Sequence, residues 1–334
     1  MVRLRTVRPA SKGWTRRRVG KGFVYLDENG DRVGPEGVER AKGLVIPPAW
    51  QDVWICPVPN GHIQAVGVDA AGRKQYLYHP EWRIKRDAMK FDRVLEVGAQ
   101  LSKTRASVLE HLALDGMPFE RAAATAVRLL DLGYFRIGSD AYADDNGSFG
   151  LTTLERRHVR RSHGRLVFCF TGKSGVEHCV EIDDPLSIAA VETMRRRRSP
   201  DARLLAYRNE RRWSALDAAR VNEYLRTSTG GDMTAKDFRT WHATVLAAAA
   251  LAASDEPGET KASRKRAIRA AMVEVSTYLG NTPAIAKSSY VDPRVVDLYE
   301  DGTTIAPAVH REYETPEDRQ LALERAVLKM LVDN

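Results

Sequence analysis

Between residues 23 and 78 short apolar runs are punctuated by glycine turns. Phe23 to Leu26 reads as a strand, followed by the turn signal Asn29-Gly30. Val53 to Val58 reads as a second strand, which Asn60-Gly61 turns into His62 to Val68. Ala70-Ala71-Gly72 turns the chain again into Lys74 to Tyr78. This pattern predicts an antiparallel meander. The 22 residues at the start are basic with little periodicity and read as loose.

After Trp82 the apolar spacing changes to three and four, the period of a helix. Helices are predicted over Met89 to Leu101, Ala106 to Leu114, and Pro118 to Gly133, with Arg83 to Lys90 as a linker. A β excursion follows. Gly150 to Leu154 with Val159 suggests one strand region, and Gly164 to Thr171 with Val176 to Ile182 forms a hairpin around Lys173. Helices resume from Leu186. Ser214 to Asp217 resembles a capping box before a helix to about Arg226, and Thr234 to Asp237 opens the next one. A helical stretch from Thr260 stops at Gly280, and a last amphipathic helix follows Thr315. The fold class is therefore α+β: a small β-rich domain over residues 1–85 and a larger, mainly helical domain over 86–334.

Composition narrows the function. The 334 residues are 43% hydrophobic, enough to bury a substantial core. No run of 18 apolar residues crosses a membrane, and the Arg-rich start has no apolar signal segment. Three cysteines, Cys56, Cys169 and Cys179, lack C-x-x-C spacing, which argues for a reducing compartment and against a disulfide framework or a zinc site. Residues 1–93 hold 18 Lys and Arg against 10 Asp and Glu, while the remainder holds 34 of each, so the whole net charge of +8 sits at the front. A concentrated basic surface favours a polyanion, most often nucleic acid; a solvated basic tail is the alternative.

Five residues stand at breaks between elements. Tyr290 lies between the Thr282-Pro283 helix start and Pro293, where it either packs its ring or presents its hydroxyl. Arg136 follows a helix exit and needs a carboxylate or a bound anion. Lys173 sits at a hairpin tip, either as a solvated turn residue or as a cation that reaches a phosphate. Arg239 falls near a helix start, where anions bind. Asn281 follows Gly280. In the first domain, Lys74, Tyr76 and Tyr78 share one strand face, fit either for a half-buried aromatic surface or for stacking on nucleic acid.

A tyrosine that cleaves a phosphodiester needs donors for the two non-bridging oxygens and an acid for the leaving 5′ oxygen. The phosphotyrosine link conserves the bond energy for resealing. Arg136, Lys173, Arg239, Asn281 and Tyr290 supply that set, and no acidic cluster has metal-ligand spacing. With Gly72 to Tyr78, Phe135 to Gly138, Gly172-Lys173, Lys236 to Arg239, Asn281 to Pro283 and Ser289 to Pro293, nearly the whole chain resembles the type IB DNA topoisomerases of the small bacterial and poxviral branch. The resemblance implies Tyr290 as nucleophile forming a 3′-phosphotyrosyl bond, Lys173 as general acid, and Arg136 and Arg239 as phosphate clamps. Arg136 also gains a share in proton transfer. Asn281, a histidine in several relatives, contacts a non-bridging oxygen.

The same resemblance implies DNA contacts by Arg73, Lys74, Gln75, Tyr76, Tyr78 and Tyr142. It implies a monomeric two-domain clamp on duplex DNA, acting in the cytoplasm with the nucleoid and without metal, cofactor or ATP. Viral relatives carry a lysine where this chain has Ser139, so their sequence preference does not transfer. The alternative is a tyrosine recombinase, which typically shows His-x-x-Arg where this chain has Lys236-x-x-Arg239.

Overall fold

The computed structural model describes residues 3–140, 143, 147–210, 212–254 and 260–333. The chain divides into two compact units, Met1–Asp92 and Arg93–Asn334.

In the first unit five strands form one sheet: β1 (Trp14–Val19), β2 (Gly22–Leu26), β3 (Gln51–Ile55), β4 (Ile63–Val68) and β5 (Lys74–Tyr78). Their order is β2-β1-β3-β4-β5, all neighbours antiparallel. Helix α1 (Pro35–Gly43) connects β2 to β3. Its Ala41 joins Tyr25, Ile46, Val53, Ile55 and Ala65 in a small core. The basic start is thus not loose. Arg16 in β1 turns inward and donates to the carbonyls of Ile46, Pro47 and Trp50, with its guanidinium 4.2 Å from the centre of the Phe23 ring. Its charge serves the fold, which is why polar spacing concealed a strand.

Helix α2 (Pro80–Leu112) is one element of 33 residues. The linker expected at Arg83 to Lys90 lies inside it: the segment is polar because much of it faces solvent, with Ile84 and Met89 also exposed. The division between the units falls within this helix.

The second unit is mainly helical. It contains α3 (Phe119–Gly133), α4 (Pro185–Arg195), α5 (Ala218–Thr229), α6 (Ala235–Ala252), α7 (Lys261–Leu279), α8 (Pro283–Ser289), α9 (Pro293–Glu300), α10 (Ala306–Val309) and α11 (Pro316–Val332). Helices α3 and α6 are buried on nearly every face, so they are the central elements, and their alanines permit close packing. Strands β6 (Val159–Ser162), β7 (Arg165–Thr171) and β8 (Glu177–Ile182) form an antiparallel sheet, and β9 (Ala206–Asn209) pairs with β10 (Arg212–Ala215). Residues Leu151–Thr153, expected in a strand, form a 3-10 turn. The cap of α5 is Asp217, whose carboxylate accepts from the Arg220 N–H; Ser214 belongs to β10.

The cysteine reading also changes. Cys169 and Cys179 are directly opposite in β7 and β8, with Cα atoms 4.3 Å apart, and form a disulfide. Strand register, not sequence spacing, brings them together. No helix among the described residues is long and apolar enough to cross a membrane.

Candidate active site

Four local devices hold the site. Helix α3 ends at Tyr134, whose φ of 53° is left-handed, and the chain then exits through Phe135 into Arg136. Helix α6 opens with a capping box between Thr234 and Asp237, which sets Arg239 in its second turn. Helix α7 ends at Gly280 with a φ of 57°, so the next residue, Asn281, leaves the helix axis. Thr282 then caps α8, and Tyr290 closes it: its N–H donates to the Ala286 carbonyl at 3.0 Å.

The turn bearing Tyr290 is tied to the core. The Thr244 hydroxyl accepts from the Asp292 N–H at 3.1 Å and donates to the Thr240 carbonyl at 2.9 Å, with the Tyr290 carbonyl a longer second acceptor at 3.4 Å. Asp292, 2% exposed, caps α9 and pairs with Arg294 at 2.8 Å. Helix α6 therefore positions both Arg239 and the tyrosine's backbone.

Both arginines are aimed by the end of α7. Arg239 donates to the Leu279 carbonyl at 2.7 Å and to the Tyr134 carbonyl. Arg136 donates to the Gly280 carbonyl at 3.0 Å. These last carbonyls of a helix carry partial negative charge, so they suit guanidinium groups. Burial pulls the Arg239 guanidinium down to about 10, and Arg136 adds to the shift; the facing Tyr290 opposes it. Burial also lowers Arg136, again with Tyr290 opposing. Two crowded cations with part of their water removed form a ready anion site.

The residues meet. Arg136, Lys173, Asn281 and Tyr290 line one cavity of about 490 Å³, together with Ser276, Thr282 and Ile285. The Arg239 guanidinium carbon lies 5.5 Å from the centre of the Tyr290 ring. Lys173 occupies the exposed tip between β7 and β8, where Ser174 and Gly175 take positive φ. Both polar atoms of the Asn281 amide are buried without a hydrogen-bond partner among the described residues. Such a group wants a partner from outside the chain. A phosphate oxygen in this cavity meets cations, an amide and a phenol together.

The proposed DNA-contact residues of the first unit sit on β5 and the turn before it. Tyr76 and Tyr78 stack with centroids 6.0 Å apart, and the Lys74 ammonium lies 5.9 Å from the Tyr76 ring centre. Sequence reasoning missed Asp69. Its carboxylate accepts from Arg73 Nε at 2.9 Å, from Gln75 Nε2 at 2.8 Å, and from the N–H groups of Ala71 and Arg73. Arg73 above all holds that carboxyl down to about 2. An aspartate three residues before a turn glycine was the available signal. Thr244 was also missed; nothing local marks it. Tyr142 lies outside the described residues.

Residues 79–307 match the family described as eukaryotic DNA topoisomerase I, catalytic core, and residues 22–69 match the bacterial DNA topoisomerase IB N-terminal domain. The chain is 29% identical over 302 residues to the DNA topoisomerase 1B of Acanthamoeba polyphaga mimivirus, which covers 87% of this chain and 88% of that relative. It is 23% identical over 242 residues to the DNA topoisomerase 1B of vaccinia virus, strain Copenhagen, covering 71% and 72%. The monkeypox virus DNA topoisomerase I is 22% identical over 239 residues, with the same coverage.

Proposed function

The chain belongs to the type IB DNA topoisomerase family, and from that premise we propose that Tyr290 is the nucleophile of a reversible single-strand DNA break. Family membership decides against the recombinase reading and makes the chain an isomerase acting on DNA. The observation that carries the residue assignment is the common cavity of Arg136, Lys173, Asn281 and Tyr290, with Arg239 facing the phenol ring.

The phenol oxygen attacks phosphorus as it loses its proton, and the bond to the 5′ oxygen breaks. Lys173 protonates that oxygen, with Arg136 assisting. Charge on the two non-bridging oxygens is met by Arg136, Arg239 and the Asn281 amide, donors fixed beforehand by protein contacts or left free by them. The 3′-phosphotyrosyl bond holds one strand while the duplex swivels. The freed 5′ hydroxyl then attacks the phosphotyrosine, and the tyrosine leaves. Bond energy is retained throughout, so ATP does not enter the scheme, and the arginines and the lysine fill the charge-stabilising and proton-donating roles that a metal serves elsewhere.

The two units act as a monomeric clamp on duplex DNA, with Arg73, Lys74, Gln75, Tyr76, Tyr78 and Tyr142 as contacts, in the cytoplasm with the nucleoid. The basic balance of residues 1–93 supports the clamp. The test is covalent capture on a suicide duplex whose short downstream fragment, carrying the new 5′ hydroxyl, dissociates on cleavage. The account expects a protein–DNA adduct through the 3′ phosphate, with the DNA-bearing peptide containing Tyr290. An adduct at the 5′ end, or on another residue, overturns the assignment.

A further inference from the structure

His178 lies on β8, outside the five proposed catalytic residues, yet its imidazole fills the space between two of their neighbours. A β-carbon built on Gly172 would stand 2.5 Å from its Cδ2, and one on Gly280 would stand 2.1 Å from its Cε1. Both distances are closer than atoms tolerate, so these two glycines leave room for the ring. Phe170 backs it, with ring centres 5.3 Å apart and planes 22° apart. Nε2 is buried with no hydrogen-bond partner among the described residues. Burial, then Arg136 and Arg239, depress its basicity and favour the neutral ring.

The placement has a consequence. Gly172 directly precedes Lys173, and Gly280 directly precedes Asn281 while its carbonyl orients Arg136. One side of this contact is firm: Leu279 is fully buried and its carbonyl holds Arg239. The other side is a hairpin tip whose residues 173–177 are all exposed. The Gly172 N–H donates to the Val176 carbonyl at 2.7 Å within the hairpin, and the Phe149 N–H holds the Thr171 carbonyl at 2.8 Å; the imidazole adds the contact that joins this hairpin to the end of α7.

We propose that His178 is a positioning residue whose imidazole, wedged between Gly172 and Gly280, holds the Lys173 hairpin against the end of α7 so that acid and phosphate clamps approach the scissile phosphate in register. The inference rests on the reading of Lys173 as general acid, and it makes no use of the imidazole as an acid or base.

The test compares single-turnover cleavage of two duplexes that differ at one atom. In one the 5′ bridging atom is oxygen; in the other it is sulfur, which leaves as a thiolate without being protonated. His178→Ala should slow cleavage of the oxygen ester by about 10- to 100-fold, as expected for a displaced catalytic group. Most of that loss should disappear on the sulfur ester, with noncovalent DNA affinity unchanged. Gly172→Ala should give the same signature. Its φ of −94° suits any residue, so the new methyl conflicts with the imidazole rather than the backbone. It carries the test if His178→Ala fails to fold.

Lys173→Ala is run beside them. If it is not restored by sulfur, the general-acid reading fails and takes the inference with it. If Lys173→Ala is restored but His178→Ala and Gly172→Ala stay equally slow on both esters, the reading stands and the positioning role of His178 is overturned. Wild-type rates for both variants on the oxygen ester would also overturn it.

Discussion

The Arg239 guanidinium and the Tyr290 ring face each other at 5.5 Å, and one helix, α6, supplies both the arginine and the Thr244 hydroxyl that anchors the tyrosine's backbone. The proposed nucleophile and the proposed clamp are therefore placed by a single buried element. Tyr290→Phe removes one oxygen and leaves that framework intact. The variant should form no covalent adduct while binding duplex DNA with unchanged affinity in a mobility-shift or anisotropy titration. Residual adduct formation would assign the nucleophile elsewhere.

Arg239 and Arg136 should separate when each is replaced by alanine. Both are expected to slow cleavage by about 10²- to 10³-fold, the loss typical of a donor to developing charge. Arg239 is 4% exposed and serves two carbonyls, those of buried Leu279 and half-buried Tyr134, whereas Arg136 serves one. Arg239→Ala should thus also cost about 1–3 kcal/mol of stability for acceptors left unpaired, and Arg136→Ala less. Equal unfolding midpoints in denaturant would contradict this division.

Asp131 is a structural counterpart. It is 6% exposed, receives two hydrogen bonds from Arg105 at 2.7 and 2.8 Å, and lies 3.0 Å from His242 Nε2. Burial alone would raise its carboxyl, but Arg105 and His242 outweigh burial and hold it well below the usual carboxylate range. A carboxyl lowered by folding contributes stability that is complete above its unfolded value near ~4 and is lost as pH falls from there toward the folded value. Asp131→Asn should cost about 1–3 kcal/mol near neutral pH, because Arg105 loses one of its two carboxylate partners and keeps Glu324 at 2.7 Å. Below about pH 4 the gap between the two proteins should narrow. A gap that is constant with pH would remove the carboxylate from the account.

Asp69 holds Arg73 and Gln75 by their side chains. Asp69→Ala frees both groups and opens the turn before β5. DNA affinity should fall about three- to tenfold, the net worth of one hydrogen bond, while the covalent adduct still forms at saturating DNA. Unchanged affinity would take the Arg73–Gln75 pair out of the DNA interface.

Much of the candidate site's backbone frame was legible because its signals are local. Gly280 takes the left-handed conformation expected of a helix stop, Thr282 caps, and Pro293 starts the next helix, so Tyr290 was bracketed by backbone chemistry alone. The hairpin around Lys173 followed from alternation and its glycines. What escaped depends on distant partners. Strand β1 reads as polar coil until the carbonyls of Ile46, Pro47 and Trp50 receive Arg16. The Cys169–Cys179 bond depends on hairpin register, and the place of His178 depends on two glycines 108 residues apart in sequence. Solvent-facing polarity hid the continuity of α2.

Relaxation of a supercoiled plasmid in EDTA without ATP, with wild type and Tyr290→Phe side by side, separates tyrosyl strand passage from every other reading. The account expects the wild type to relax the plasmid and the variant to leave it supercoiled. Relaxation by both proteins would contradict the tyrosyl mechanism, and relaxation by neither would contradict strand passage that needs neither metal nor ATP.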